Sequence, residues 1–198
     1  MNGTISIFAF LLASVHAAVA GTTADFSHAQ GSLEFRAVGK PSALKIVGKS
    51  GVPTGSLVFS KDSLGGALSL SLDGLDTGIE LRNHHMKEKY LETKTFPQAT
   101  LYPLNIGIPK EKMLTDFEVS GAAFTGNLLL HGVEKPVAGK VSLKRTGPTL
   151  TGDASFQIKL SDFGIAVPSF MGITVADTVD VTTSFKAPLA DAVTSSSK

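Results

Sequence analysis

The side chains in this chain that could do chemistry are few, and their spacing does not suit it. Of five histidines, His16 lies in an apolar leader, leaving His28, His84, His85 and His131. His84 and His85 are adjacent on a predicted helix, so their side chains diverge by about 100°, unlike the i, i+4 pair that grips a metal from one face. A zinc site would have to recruit His28 or His131 as well, and polar residues on a solvent-facing helix are the plainer reading. Asp73 and Asp76 resemble a paired carboxylate. Yet they bracket Gly74 in a turn ahead of a helix, where acids serve capping and dipole roles. His131 sits in a Gly-containing hairpin turn and is expected to stabilise it. A Gly-x-Gly-x-x-Gly fingerprint, a phosphate loop and a Gly-x-Ser-x-Gly elbow are all missing from the sequence. With no cysteine, thiol catalysis, cysteine-bound metals and disulfides are excluded together. We assign no catalytic residue, metal ligand or cofactor and expect no enzyme. A hydrolase or isomerase assembled from distant strands, which leaves no local motif, would have to use His28 or His131.

Two basic clusters remain. Arg82, Lys87, Lys89 and Lys94 surround the predicted helix, and Lys135, Lys140, Lys144 and Arg145 lie across a hairpin. Such charges usually form a solvated surface; on the rim of an opening they would hold an anionic group. Spacing does not say which cluster is nearer an opening. Eighteen basic against seventeen acidic side chains give a net charge of +1, so the whole-chain balance implies no nucleic acid partner (Lys+Arg 18, Asp+Glu 17).

The elements that must position these groups are strands. From Leu33 to Phe185 apolar and polar residues alternate with period two, as in Leu68, Leu70 and Leu72, in Phe156, Ile158 and Leu160, and in Val179, Val181 and Phe185. Strand-like runs fall at 32–37, 43–47, 56–60, 67–73, 100–106, 116–120, 123–130, 139–144, 149–160 and 177–186. Turn chemistry at Gly51-Val52-Pro53, Ser120-Gly121, His131-Gly132 and Gly147-Pro148 keeps most connections short and neighbours antiparallel. This pattern predicts an all-β fold, an antiparallel barrel of about eight strands. Gly66, Gly126 and Gly139 inside strands are expected to leave room or permit bending.

Two segments break the period. Thr77-Gly78-Ile79-Glu80 has the form of a capping box and predicts a helix over 79–91, ended by Phe96-Pro97, with Ile79, Met86 and Tyr90 on one narrow face. It reads either as a lid or as a cover for an open edge. The connection from Asp162 to Ile173 is too oily for water, so Phe163, Phe170 and Met171 must line an entrance or plug the core. Before the first charged residue, Asp25, an apolar run from Ile5 to Val15 leads to Ala18-Val19-Ala20, which reads as a secretory signal over 1–20 despite lacking a basic start. One domain over 21–187 and a polar tail over 188–198 are expected to follow, exported across the inner membrane and without stable membrane insertion.

Several blocks then read together. Leu70-Ser71-Leu72-Asp73 leading to Thr77, Arg82-Asn83-His84-His85-Met86 with Phe96-Pro97, the hairpin from Gly126 to Val137, and Ser161-Asp162-Phe163-Gly164-Ile165 with the later Val175 to Val179 resemble the YceI-like family in order and spacing. The resemblance covers about Leu33 to Ala187. It implies a lipocalin-like barrel in the bacterial periplasm that binds long amphiphiles, such as polyisoprenoids or isoprenoid quinones, and brings no catalytic residues. This chain has Leu160-Ser161 where the family often carries an arginine, which implies a different or neutral head group.

Strand parity, the helix face and the oily connection nominate Phe35, Leu70, Met86, Tyr90, Phe124, Phe156, Ile158, Phe163, Phe170 and Met171 as ligand-binding, with Arg82 and His85 as head-group contacts. The expected partner is a long-chain isoprenoid or fatty amphiphile, and the sequence is compatible with a monomer or a homodimer. The competing reading is a stress-related interaction module whose barrel is filled by its own side chains.

Overall fold

The computed structural model describes residues 21–40, 45–60, 64–109, 112, 114–170 and 173–191. The predicted leader over 1–20, Met171 and residues 192–198 lie outside them. Eleven strands form one antiparallel sheet: β1 Gly21–Asp25, β2 Gln30–Lys40, β3 Lys45–Ser50, β4 Thr54–Ser60, β5 Leu64–Ser71, β6 Gln98–Ile106, β7 Phe117–Leu130, β8 Val133–Thr146, β9 Thr149–Lys159, β10 Ser169–Phe170 and β11 Ile173–Asp191.

Register shows how these make an eight-stranded closed barrel. β1 and β2 are one strand interrupted at Phe26–His28 by a 3₁₀ turn, and β3 and β4 are one strand interrupted at 51–53, where Gly51 and Pro53 suit a break. The two composite strands pair along their length, Thr22 with Phe59 in one half and Arg36 with Val47 in the other. β4 through β9 then follow in chain order, and β11 closes the ring onto β9, β2 and β1. Closure leaves few unpaired edge groups, the condition that lets a barrel stay separate in water.

The pairing departs from the predicted runs in three places. The 116–120 and 123–130 runs are a single strand, β7, carrying a register shift between Val119 and Ala122. The predicted tail is strand through Asp191, with Ala24 facing Leu189, because Ala187 and Leu189 keep the inward parity of Val181 and Phe185. β1 was not among the predicted runs: its five residues are too short for a convincing alternation, yet Ala24 is fully buried.

A helical segment interrupts the β order between β5 and β6. Helix α1, Glu80–His84, passes directly into a π-helical turn, His85–Tyr90. The predicted capping box does not form. Ile79 is the N-cap residue and makes no side-chain cap bond, while the Thr77 hydroxyl donates to Asn83 Oδ1 at 2.6 Å. Glycine is required just before the helix, since Gly78 has φ of 76°.

The core divides along the barrel axis. In the lower half Phe26, Phe59, Phe117 and Leu150 pack with Ile106, Ile108 and Leu189 into a filled plug. In the upper half Leu33, Leu128, Val181, Phe163 and Ile165 are buried in the wall, with Met86 and Tyr90 of the helical segment packed against them. Gly66 and Gly139 do not supply the space between. A Cβ at Gly139 would lie 2.6 Å from the Phe124 ring, and one at Gly66 would lie 2.2 Å from Ser56 O, so neighbouring groups already occupy the room these glycines release.

Candidate ligand cavity and its mouth

The inward rows of β2, β5, β6, β7, β9 and β11 do not meet in the upper half. They enclose a cavity of about 760 Å³. Its floor is the top of the lower plug, with Phe26, Leu57 and Leu143 on it, and its rim carries Ile46, Ile79, Leu81, Lys89 and Pro168. A filled barrel is therefore not what these side chains build.

Period-two parity placed the wall correctly. Phe35, Leu70, Phe124, Phe156 and Ile158 line the cavity, as do Met86 and Tyr90 from the helical segment. Phe124 and Phe156 meet edge to face, with centroids 5.9 Å apart, which stiffens the lower wall. Ile79, predicted to share the face of Met86 and Tyr90, is instead 52% exposed at the rim, because the helix begins only after it.

Phe163 is a correction. It is 2% exposed and buried in the wall, and it does not line the cavity. The 3₁₀ turn Leu160–Phe163 folds it inward and ends at Gly164, whose φ of 69° reverses the chain. Leu160, Ile165, Pro168 and Ser169 of the same connection do face the cavity, so this segment both plugs and lines. Phe170 has its backbone paired with Ile173 at the edge of the mouth, and Met171 lies outside the described residues.

Leu33, Ala99, Val179, Val181 and Lys89 also line the cavity, beyond the residues nominated from the sequence. Leu33 shares the parity of Phe35 on β2, and Ala99, Val179 and Val181 lie opposite Leu70, Ile158 and Phe156 on the paired strands, a match that register and not single-strand parity supplies. Lys89 follows Arg82 by seven and His85 by four, a spacing that puts all three on one helical face.

Arg82 and His85 reach the mouth, but Arg82 is also a structural tie. Its Nε donates to Thr77 Oγ1 at 2.9 Å and its terminal nitrogen to Thr77 O at 2.6 Å. Asn83 Nδ2 donates to Asp76 Oδ1 at 2.6 Å, and the Thr77 amide donates to Asn83 Oδ1. Asp76 also accepts from the Gly78 amide, and these bonds hold its carboxyl below the usual carboxylate range. The two carboxylates Asp73 and Asp76 are thus not a reactive pair: the second anchors the helix, and the first contributes its carbonyl to Lys87.

The basic cluster nearest the opening is that of the helix. Arg82 and Lys89 line the cavity, whereas Lys140 faces outward and Lys144 pairs with Glu118. Among the described residues no aspartate or glutamate lines the cavity. At the position where the family's arginine was expected, Leu160 faces the cavity while the Ser161 amide and hydroxyl donate to Asp177, lowering that carboxyl's pKa.

The remaining histidines are structural. His131, with φ of 52°, makes the β7–β8 turn with Gly132. Its Nδ1 lies 3.2 Å from Phe163 O, and its ring packs on Phe96 at 4.5 Å. It ties the turn to the 3₁₀ segment and does not touch the cavity. Asp25, Ser27 and His28 cluster at the lower end, but Ser27 Oγ and Asp25 Oδ2 both approach the same ring nitrogen, His28 Nδ1, whereas a Ser-His-Asp triad has them on opposite nitrogens. Among the described residues no group of His, Asp and Glu has the arrangement of a metal site, and no helix is long and apolar enough to cross a membrane.

Solved structures share this barrel. A polyisoprenoid binding domain from Saccharophagus degradans, implicated in plant cell wall breakdown, superposes with a TM-score of 0.62 at 18% identity, covering 87% of this chain and 99% of that one. Burkholderia cenocepacia BcnA gives a TM-score of 0.62 at 20% identity, with 83% and 99% covered. The Campylobacter jejuni YceI protein gives 0.56 at 14% identity, with 71% and 83% covered. In sequence, a UPF0312 protein of Enterobacter sp. (strain 638) is 31% identical over 105 residues, and the match spans 50% of this chain and 50% of that curated relative's length. The profile of the YceI-like domain matches residues 9–187, nearly the whole barrel included, and the chain belongs to that family.

Proposed function

We propose that this protein is a non-catalytic carrier that encloses the tail of a long-chain isoprenoid amphiphile in its barrel, in the aqueous space beyond the inner membrane. The observation that carries the proposal is the cavity itself: about 760 Å³, walled by aliphatic and aromatic side chains. That volume sits within the range of about 300–1,000 Å³ of small-molecule sites. The likeness to a polyisoprenoid binding domain supports the same ligand class. The apolar leader supports export to the periplasm.

Energetics select for long tails. At ~0.8 kcal/mol per buried CH₂, a five-carbon unit offers roughly 3–4 kcal/mol gross. Association costs about 4–15 kcal/mol. Tails of about four or more units therefore reach micromolar affinity, near −8 kcal/mol. Short solutes do not reach it by apolar contact alone. Arg82, Lys89 and His85 at the mouth favour a head group rich in oxygen acceptors, acidic or quinone-like.

The test is uptake by delipidated, folded protein of prenyl lipids of about six to ten isoprene units, with mass spectrometry of organic extracts identifying any lipid that copurifies. Protein that stays folded and takes up none of them defeats the proposal.

A further inference from the structure

We infer that the mouth of the barrel docks on an anionic phospholipid surface, with Ile79 and Leu81 entering the interface and Arg82 and Lys89 lying over the head groups. This rests on the carrier reading and names where the cargo is exchanged.

Four large apolar side chains stand exposed among the described residues, and the two most exposed are Ile79 at 52% and Leu81 at 59%. They are two positions apart at the start of α1, and both belong to the rim of the cavity. Packing does not require them there. The helical segment meets the barrel through Met86, Tyr90 and Leu91, which join the upper core, while Ile79 and Leu81 lie outside it. An apolar pair left in water at an opening marks a surface that is covered in use.

Charge selects what covers it. The arginine and lysine on the lining, Arg82 and Lys89, are cations, and among the described residues no aspartate or glutamate joins them there. Of the acids near them, Glu88 pairs with His84 and Lys94 and Glu92 approaches His131, which leaves Glu80, exposed between Ile79 and Leu81, against the cations Arg82 and Lys89. Apolar side chains set next to cations on one short helix are what an interfacial helix presents to acidic lipid. The cargo supplies the reason for contact, since a long prenyl chain is nearly insoluble and resides in a bilayer until a cavity reaches it.

The test is co-sedimentation of the full chain with vesicles of phosphatidylglycerol and phosphatidylcholine, beside vesicles of phosphatidylcholine alone. Stronger association with the acidic vesicles is expected. Ile79→Ser with Leu81→Ser should weaken it by about tenfold or more, the scale of losing half-exposed side chains of this size from an apolar phase. Lys89→Glu should abolish the preference for acidic lipid. Val58→Ser removes another exposed apolar side chain, on β4 in the closed half, and should change nothing. Thermal unfolding checks that each variant is folded.

Equal binding to both vesicle types overturns the inference, as does a Val58→Ser loss matching that of the rim variant. Prenyl lipid delivered from cyclodextrin separates the two readings. Uptake without any vesicle association overturns docking and leaves the carrier intact, whereas rim-dependent association without uptake supports docking and defeats the carrier.

Discussion

At the closed end of the barrel Phe26, Phe59 and Leu150 are at most 2% exposed and belong to one buried cluster. At the mouth Phe35, Ile158 and Met86, residues of the same apolar kind, stand only partly buried around the cavity. The difference lies in what covers each end. Below, the 3₁₀ turn at Phe26 and the segment at Ile108 fold back across the bore and complete the packing. Above, a helical segment with no fully buried residue packs on the upper core through Met86, Tyr90 and Leu91, and hydrogen bonds among Asp76, Thr77, Arg82 and Asn83 fix its start. One end is close-packed, and the other encloses the cavity.

The sharpest test of that contrast is a matched pair of truncations. Phe59→Ala should cost about 3–5 kcal/mol, because the close-packed plug cannot collapse into the void it creates. Phe35→Ala should cost less than about 2 kcal/mol, since its ring already borders a cavity. Equilibrium denaturant unfolding measures both, and equal losses would erase the distinction. Next in size, Ala99→Phe puts a ring into the upper cavity. Prenyl-lipid uptake should fall by at least about tenfold, equal to ~1.4 kcal/mol, while stability shifts by less than about 1.5 kcal/mol. A ligand assay run beside the unfolding curve separates the two effects.

Smaller effects probe the tie at the mouth. Asn83→Ala removes acceptor and donor bonds to Thr77 and Asp76, and each hydrogen bond contributes about 1 kcal/mol. Amide exchange over Glu80–Tyr90 should speed up several-fold while β8 and β9 keep their protection. Acid gives the mildest contrast. Asp76 and Asp177 at the mouth have carboxyl pKa values lowered by hydrogen bonds, and at the closed end Asp25 is lowered by Ser27. A carboxyl lowered in the folded state stabilises it above the ordinary carboxylate pKa, and that contribution is lost as pH falls through the lowered value. Below about pH 4, exchange at the helix and at Leu160–Phe163 should rise before exchange in the lower plug. Simultaneous loosening of both ends would show that the carboxylates do not distinguish them.

Much of the wall was legible because a strand forces alternation: Phe35, Phe124, Phe156 and Ile158 point inward from sequence parity alone. Two kinds of error followed from the same logic. An oily connection must pack somewhere, so the sequence puts Phe163 at an entrance or in the core, and only the 3₁₀ turn closed by Gly164 decides for the core. The spacing of Thr77 and Glu80 fits a capping box, but Thr77 instead bonds Asn83 and Arg82, which the fold brings close. Short β1 escaped notice, since five residues carry too little periodicity to separate from a loop.

The sequence by itself determined that this chain makes short antiparallel strands with one oily and one wet face, lacks cysteine chemistry, and belongs with the YceI-like barrels. The strands follow from local sterics and period, which each segment carries alone, the missing cysteine chemistry from composition, and the family from its motif blocks in their order. Only the tertiary structure decided that the lower half is filled and the upper half hollow, and that the helical cations, not those of the β8 hairpin, reach the mouth. Both depend on how far opposite walls stand apart and on where a capping segment lands. Those are distances between residues remote in the chain, and no local pattern encodes them.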